Sequence, residues 1–169
     1  PIIIAIYFAG ELVWRDRDRG MHEIIDSTAL PNWAYFIPKV IAAAAVLIAT
    51  LCIAALTAIL IQLFRGYTAI ELDKYLAWFI LPYSVDMLTT AILAVFFQAL
   101  STSKYMGWGL MVIHLVASIT LVSLGFEHPL YNFGDVGFVM VSDLNGADVG
   151  AAKSWWLRLY WGGVSLILS

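Results

Sequence analysis

The chain has 169 residues, of which 62% are hydrophobic and 12% charged, and a mean hydropathy of +0.87. Soluble domains average roughly 45–50% apolar and about 25% charged residues, so an ordinary water-soluble globule is excluded. A formal net charge of −3, with no basic stripe along the chain, excludes a nucleic-acid-binding surface.

In chain order, Pro1–Ala9 is apolar but shorter than the roughly 20 residues that cross a bilayer core of about 30 Å. It has no basic flank or small-residue cleavage site, so it reads as the end of a span rather than a signal peptide. Gly10–Lys39 follows with nine of the 21 formal charges and is expected outside the bilayer core. Val40–Phe64, entered from about Trp33, carries no charge and is the first complete span. Arg65–Lys74 is a short connection, with a turn at Gly66-Tyr67 and a polar cap of Glu71, Asp73 and Lys74. Tyr75–Leu100 is the second complete span, with Asp86 as its sole charge and Pro82 expected to kink it.

The Ser101–Lys104 connection is so short that the helices on either side must run antiparallel. Tyr105–Phe126 is the third complete span and holds His114. Glu127–Ser154 is rich in turn residues, and its apolar side chains (Phe133, Val136, Phe138, Val139, Met140 and Val141) predict that it folds back over the bundle. Trp155–Ser169 begins a last span. Aromatic residues at Trp33, Tyr35, Tyr75, Trp78, Tyr105, Trp108, Trp155 and Trp156 mark the borders, where amphipathic rings favour the headgroups. Inside lipid every backbone polar group needs an internal partner, so the spans are helices. The predicted fold is an all-α polytopic transmembrane bundle, with three complete spans and two truncated ones at the chain ends. Cys52, the one cysteine, allows no internal disulfide and reads as a packing residue.

By alternation, the loop at 10–39 and the Ser101 loop share one side with five Lys/Arg residues, against four on the other. The arginines at 15, 17 and 19 favour a cytoplasmic first loop. In that loop Met21, Ile24, Ile25 and Thr28 recur at helical spacing between Gly20 and Pro31, with His22, Glu23 and Asp26 on other faces. Such a short amphipathic helix either lies on the headgroups or offers a small apolar ridge and charges to a soluble partner.

The order Glu11, Arg15–Gly20, Glu23-Ile24-Ile25, Ser27-Thr28, Pro31 and Lys39 resembles the loop between the second and third spans of type-2 ABC exporter permeases. The stretches GELVWRDRDRGMHEIIDSTALPNW, QLFRGYTAIELDKYL, SKYMGWG, LGFEHPLYNFG, VSDLNG and WWLRLYW further resemble the permease portion of large bacterial membrane proteins that end in an aminopeptidase of the aminopeptidase N type. Together these cover nearly the whole chain in order. The resemblance implies a cytoplasmic coupling helix, with Glu11, Arg15, Asp16, Arg17, Arg19, Met21, Glu23, Ile24 and Ile25 facing an ABC ATP-binding subunit. It also implies a second permease bundle, a place in the bacterial inner membrane, and a chain that runs from its second span to its sixth. Short helices re-entering the outer leaflet would link the last two spans. ATP and Mg²⁺ belong to the partner, because this chain has no G-x-x-x-x-G-K-[ST] loop. The zinc motif of the peptidase half is missing: His22-Glu23-Ile24-Ile25-Asp26 has Asp where H-E-x-x-H has its second His. No catalytic or metal-binding residue is therefore assigned.

Within the membrane, Asp86 reads either as lining a translocation path or a proton-linked site, or as a hydrogen-bonded clamp through Thr89, Thr90 or another span. His114, with Ser118 one turn on, reads as a packing residue or as part of the same path. Gln62 and Gln98, near helix ends, read as interfacial. Thr50, Thr57, Ser118 and Thr120 are expected to bond back to their own helices or to join neighbouring ones. Glu127-His128, Asp135, Asp143 and Asp148 read as turn and cap residues. Asp143-Leu144-Asn145-Gly146 resembles the start of a calcium loop but lacks its later Glu. Three functions compete: a permease part of an ATP-driven exporter, a membrane anchor for an attached aminopeptidase, and an intramembrane enzyme, for which the chain has no catalytic constellation.

Overall fold

A computed structural model describes residues 1–21, 31, 33–66, 68, 70–137 and 148–168. They form five helices: α1 (Ile2–Asp18), α2 (Trp33–Phe64), α3 (Leu72–Leu100), α4 (Lys104–Ser123) and α5 (Asp148–Leu168). No strand occurs among the described residues. Glu23, Ile24 and Ile25 of the expected coupling helix lie outside the described residues, as do Tyr67 and the stretch 138–147.

α2, α3 and α4 are each long and apolar enough to cross a membrane. They coincide with the three runs read as complete spans. At about 1.5 Å per residue, the 32 residues of α2 measure roughly 48 Å. That exceeds the hydrocarbon thickness, so α2 tilts or reaches past it.

α3 is the centre of the bundle and touches all four other helices. Its residues Ala91, Ile92, Leu93, Ala94 and Val95 are buried in succession, which places neighbours on every face. Small side chains at the contacts (Ala5, Ala9, Ala43, Ala44, Ala91 and Ala94) bring backbones close, and dispersion between them stands in for a hydrophobic drive that lipid does not supply. α4 is peripheral: only Gly107 and Met111 are buried, and Ile113, Val116 and Ile119 face outward.

The helix is continuous through Pro82. The six residues Tyr75–Ile80 form a π-helical stretch, and the Leu81 N–H donates to the Leu76 carbonyl. Proline has no N–H and its ring crowds the carbonyl four residues back. Widening the preceding turns relieves that clash and keeps the helix continuous. Ser84 Oγ adds a bond to the Ile80 carbonyl at 2.6 Å. At the other end of α3, Ser103 caps α4 by accepting the Met106 N–H at 3.2 Å, as the short Ser101–Lys104 connection requires.

Two boundaries differ from the sequence reading. α1 does not end near Ala9 but continues through Gly10 to Asp18, with Trp14 buried against α3 and Glu11 and Asp16 paired with lysines. α5 starts at Asp148 instead of Trp155, so part of the expected outer segment is helix.

Candidate functional site

The polar residues gather in three places. The first is the bundle end where α1 leaves, α2 begins and α3 turns into α4. Trp14 Nε1 donates to Gln98 Oε1 at 3.0 Å, and Gln98 is 1% exposed, so it is a core residue instead of an interfacial one. A Cβ on Gly107 would lie 2.3 Å from Gln98 Oε1, so any larger residue would displace the buried Gln98 amide. Gly10 meets the Trp108 indole in the same way, at 2.2 Å from Nε1.

Around this contact Glu11 pairs with Lys104. Lys39 Nζ lies 3.0 Å from Asp16 Oδ2 and donates to the Val13 carbonyl at 3.4 Å. One stretch of α1 is thereby tied to α2, α3 and α4. The Arg17 guanidinium lies 4.8 Å from the Trp14 ring centroid, a cation–π distance. Arg15 and Arg17 also complement the negative end of the α1 dipole. At Gly20 the chain turns with φ of 66°, and the Met21 N–H closes onto the Asp16 carbonyl at 2.9 Å. This left-handed glycine ends the helix as the sequence predicts.

Of the described residues expected to face an ATPase, Glu11 and Asp16 are partly exposed and pair with lysines of α4 and α2. Arg15, Arg17, Arg19 and Met21 are exposed.

The second place is the bundle interior. Asp86 stands at the midpoint of α3 and Arg158 at the midpoint of α5. Arg158 Nε donates to Asp86 Oδ1 and Nη2 to Oδ2, both at 2.9 Å, in the parallel fork that guanidinium and carboxylate prefer. The Arg158 Nη1 donates to Ser154 Oγ at 3.1 Å, and its guanidinium carbon lies 5.4 Å from the Trp155 ring centroid. The side chains are 18% and 7% exposed for Asp86 and Arg158. Either charge alone at a helix centre costs about 2.5–3.5 kcal/mol on insertion scales, and the fork neutralises both.

The Asp86 clamp thus runs to another helix and not through the threonines. Thr89 and Thr90 spend their hydroxyls on their own helix, at the Val85 and Asp86 carbonyls. Thr50, Thr57 and Thr120 bond back likewise. Arg158 lies within Trp155–Ser169, the stretch that the sequence marks as the start of a last span. A signal was present: Asp86 is the sole charge of Tyr75–Leu100 and Arg158 the sole charge of Trp155–Ser169.

The third place is a groove of about 500 Å³ where α1 begins and α4 ends, roofed by residues 132–135. His114 sits there between the Phe97 and Phe133 rings, with centroid distances of 6.2 and 6.5 Å. Phe133 packs on Trp161, whose Nε1 donates to the Asp135 carbonyl at 3.0 Å, so this part of the α4–α5 connection does fold back over the bundle. His114 and Asp86 face different surroundings: one borders an open groove, the other is held by Arg158.

Among the described residues, no group of three or more His, Cys, Asp or Glu side chains stands close enough to hold a metal ion. Compared with known protein families, with characterised proteins and with solved structures, the chain shows no match.

Proposed function

We propose that this chain is the transmembrane permease part of an ATP-driven exporter of the bacterial inner membrane. The connection after α1 docks an ABC ATP-binding subunit, a second bundle completes the path, and nucleotide and Mg²⁺ stay on the ATPase. The observation that carries this reading is the rigid attachment of the charged connection. α1 delivers the arginine turn on a continuous helix fastened to three others by Glu11–Lys104, Asp16–Lys39 and Trp14–Gln98. A push on residues just beyond Asp18 is then carried into the spans instead of being lost in a flexible link. ATPase closure biases the bundle only if it grips one arrangement more tightly than another, and a fastened lever supplies that difference. The apolar walls suit lipophilic or peptide-like cargo.

The test is co-purification of the full-length protein with an ATP-binding subunit. Reversal of Arg15, Arg17 and Arg19 to Glu together is expected to release the subunit while the bundle stays folded. A complex that survives this reversal overturns the docking role.

A second reading, a membrane anchor for an attached aminopeptidase, is favoured by the Asp86–Arg158 fork, which fixes the acid at the middle of the central helix instead of leaving it on a path. Its signature would be a full-length protein with peptidase activity and no co-purifying ATPase under any condition.

A further inference from the structure

The end of α2 and the entrance of α3 differ from the rest of the bundle. Ala55 on α2 and Pro82 on α3 are buried, and no described residue between them is. Leu56–Phe64 and Leu72–Ile80 thus stand clear of the core as two limbs, each about 13 Å long at 1.5 Å per residue. The π-helical part of the second limb packs mainly on α2. Beyond Pro82, by contrast, Asp86 is forked to Arg158 and Ala91–Val95 are buried in succession. Packing therefore fixes the body of α3 and leaves its entrance mainly to α2.

The backbone is weakened at the base of both limbs. On α3, Leu81 gives its N–H to the Leu76 carbonyl, five residues back, and Pro82 has none to give. The Ser84 hydroxyl donates to the Ile80 carbonyl, 2.6 Å away. On α2, the Thr57 hydroxyl donates to the Ile53 carbonyl at 2.8 Å. Back-bonds of this kind loosen a helix and bend it, and a π-helical stretch inside a longer helix often marks a moving part. Leu60, Ile61, Leu76 and Trp78 are exposed on the limbs. Lipid tails are as apolar as the side chains they would replace, so parting the limbs from the bundle carries little hydrophobic cost.

We propose that Leu56–Phe64 and Leu72–Ile80 form a hinged arm that opens and closes one end of the bundle. The arm swings about Thr57 and Pro82, while the Asp86–Arg158 fork holds the body still. Asp16 near the end of α1 pairs with Lys39 near the start of α2, so Phe64 lies at the end opposite the arginine turn. A bend of about 30° in an arm of about 13 Å displaces its tip by roughly 6 Å. The role as a gate rests on the permease reading; the swing itself does not.

The experiment is double electron–electron resonance on the full-length protein in lipid nanodiscs, with its native cysteines, Cys52 among them, replaced by serine. Spin labels at Leu63→Cys, near the tip, and at Ala152→Cys, on α5, report the swing. Two distances separated by roughly 6 Å are expected. Labels at Ile37→Cys and Ala152→Cys, both in the body, should give one. Pro82→Ala restores the missing N–H and stiffens the base, so it should leave a single tip distance; Thr57→Val should act the same way to a smaller extent. A single tip distance without these substitutions, or a body pair that splits as the tip pair does, overturns the hinge. So does a Pro82→Ala protein that keeps both tip distances; if that variant loses its body distance, Thr57→Val decides in its place. Failure to co-purify an ATPase would overturn the permease reading and leave these distances unchanged.

Discussion

The pairs at the α1 end and the fork inside the bundle use the same chemistry in opposite ways. Asp16–Lys39 and Glu11–Lys104 are partly exposed, with Lys39 and Lys104 at 21% and 20% and their acids at 36% and 43%. Water or headgroups screen them, so each contributes little to stability and mainly fixes how α1 lies against its neighbours. Asp86–Arg158 is shielded and bidentate. Removing one member strands the other charge among apolar side chains, so the fork holds α5 to α3 by the cost of separating them. The difference shows what a membrane bundle does with charge: at its edges charge sets orientation, and at its centre charge enforces pairing.

The largest expected effect breaks that contrast at the centre. Arg158→Leu or Asp86→Leu alone should destabilise the protein by about 3–5 kcal/mol, and the double Leu variant should recover most of the loss. Thermal unfolding in detergent would measure both, and single and double variants of equal stability would sink the account. A smaller effect lies at the tight crossing. Gly107→Ala places a methyl group against the Gln98 amide and should cost about 1–3 kcal/mol as overpacking, with partial rescue by Gln98→Ala in the same assay. The smallest sharpens the comparison at the edge: Lys39→Met should cost under about 1 kcal/mol. In salt titrations, raising ionic strength should narrow the gap between wild type and Lys39→Met, and leave that between wild type and the Asp86 variant unchanged.

The three spans were legible because length and charge-free composition decide a membrane crossing, and Val40–Phe64 satisfies both by itself. The extension of α1 was not. Dense charge at 11–19 reads as water-exposed, yet Glu11 and Asp16 are neutralised by lysines distant in sequence, which allows the helix to continue beneath other elements. Gln98 looked interfacial because a polar side chain near a helix end usually is. Its burial depends on Trp14 arriving from another helix, and no local pattern encodes that meeting. Asp86 was visible as a costly residue, but its partner depends on how α5 packs, which is tertiary information.

The π-helical stretch Tyr75–Ile80 has a consequence for how α3 presents its two ends. A widened turn accommodates about one residue more than an α-turn, and each residue rotates a helix by about 100°. The short entrance Leu72–Lys74 and the long body after Leu81 are thus out of phase with each other. The face shown at the entrance is set separately from the face that aims Asp86 at Arg158. Loss of one residue within the widened turn would let it relax to regular α-helix, and the aspartate would keep its bearing.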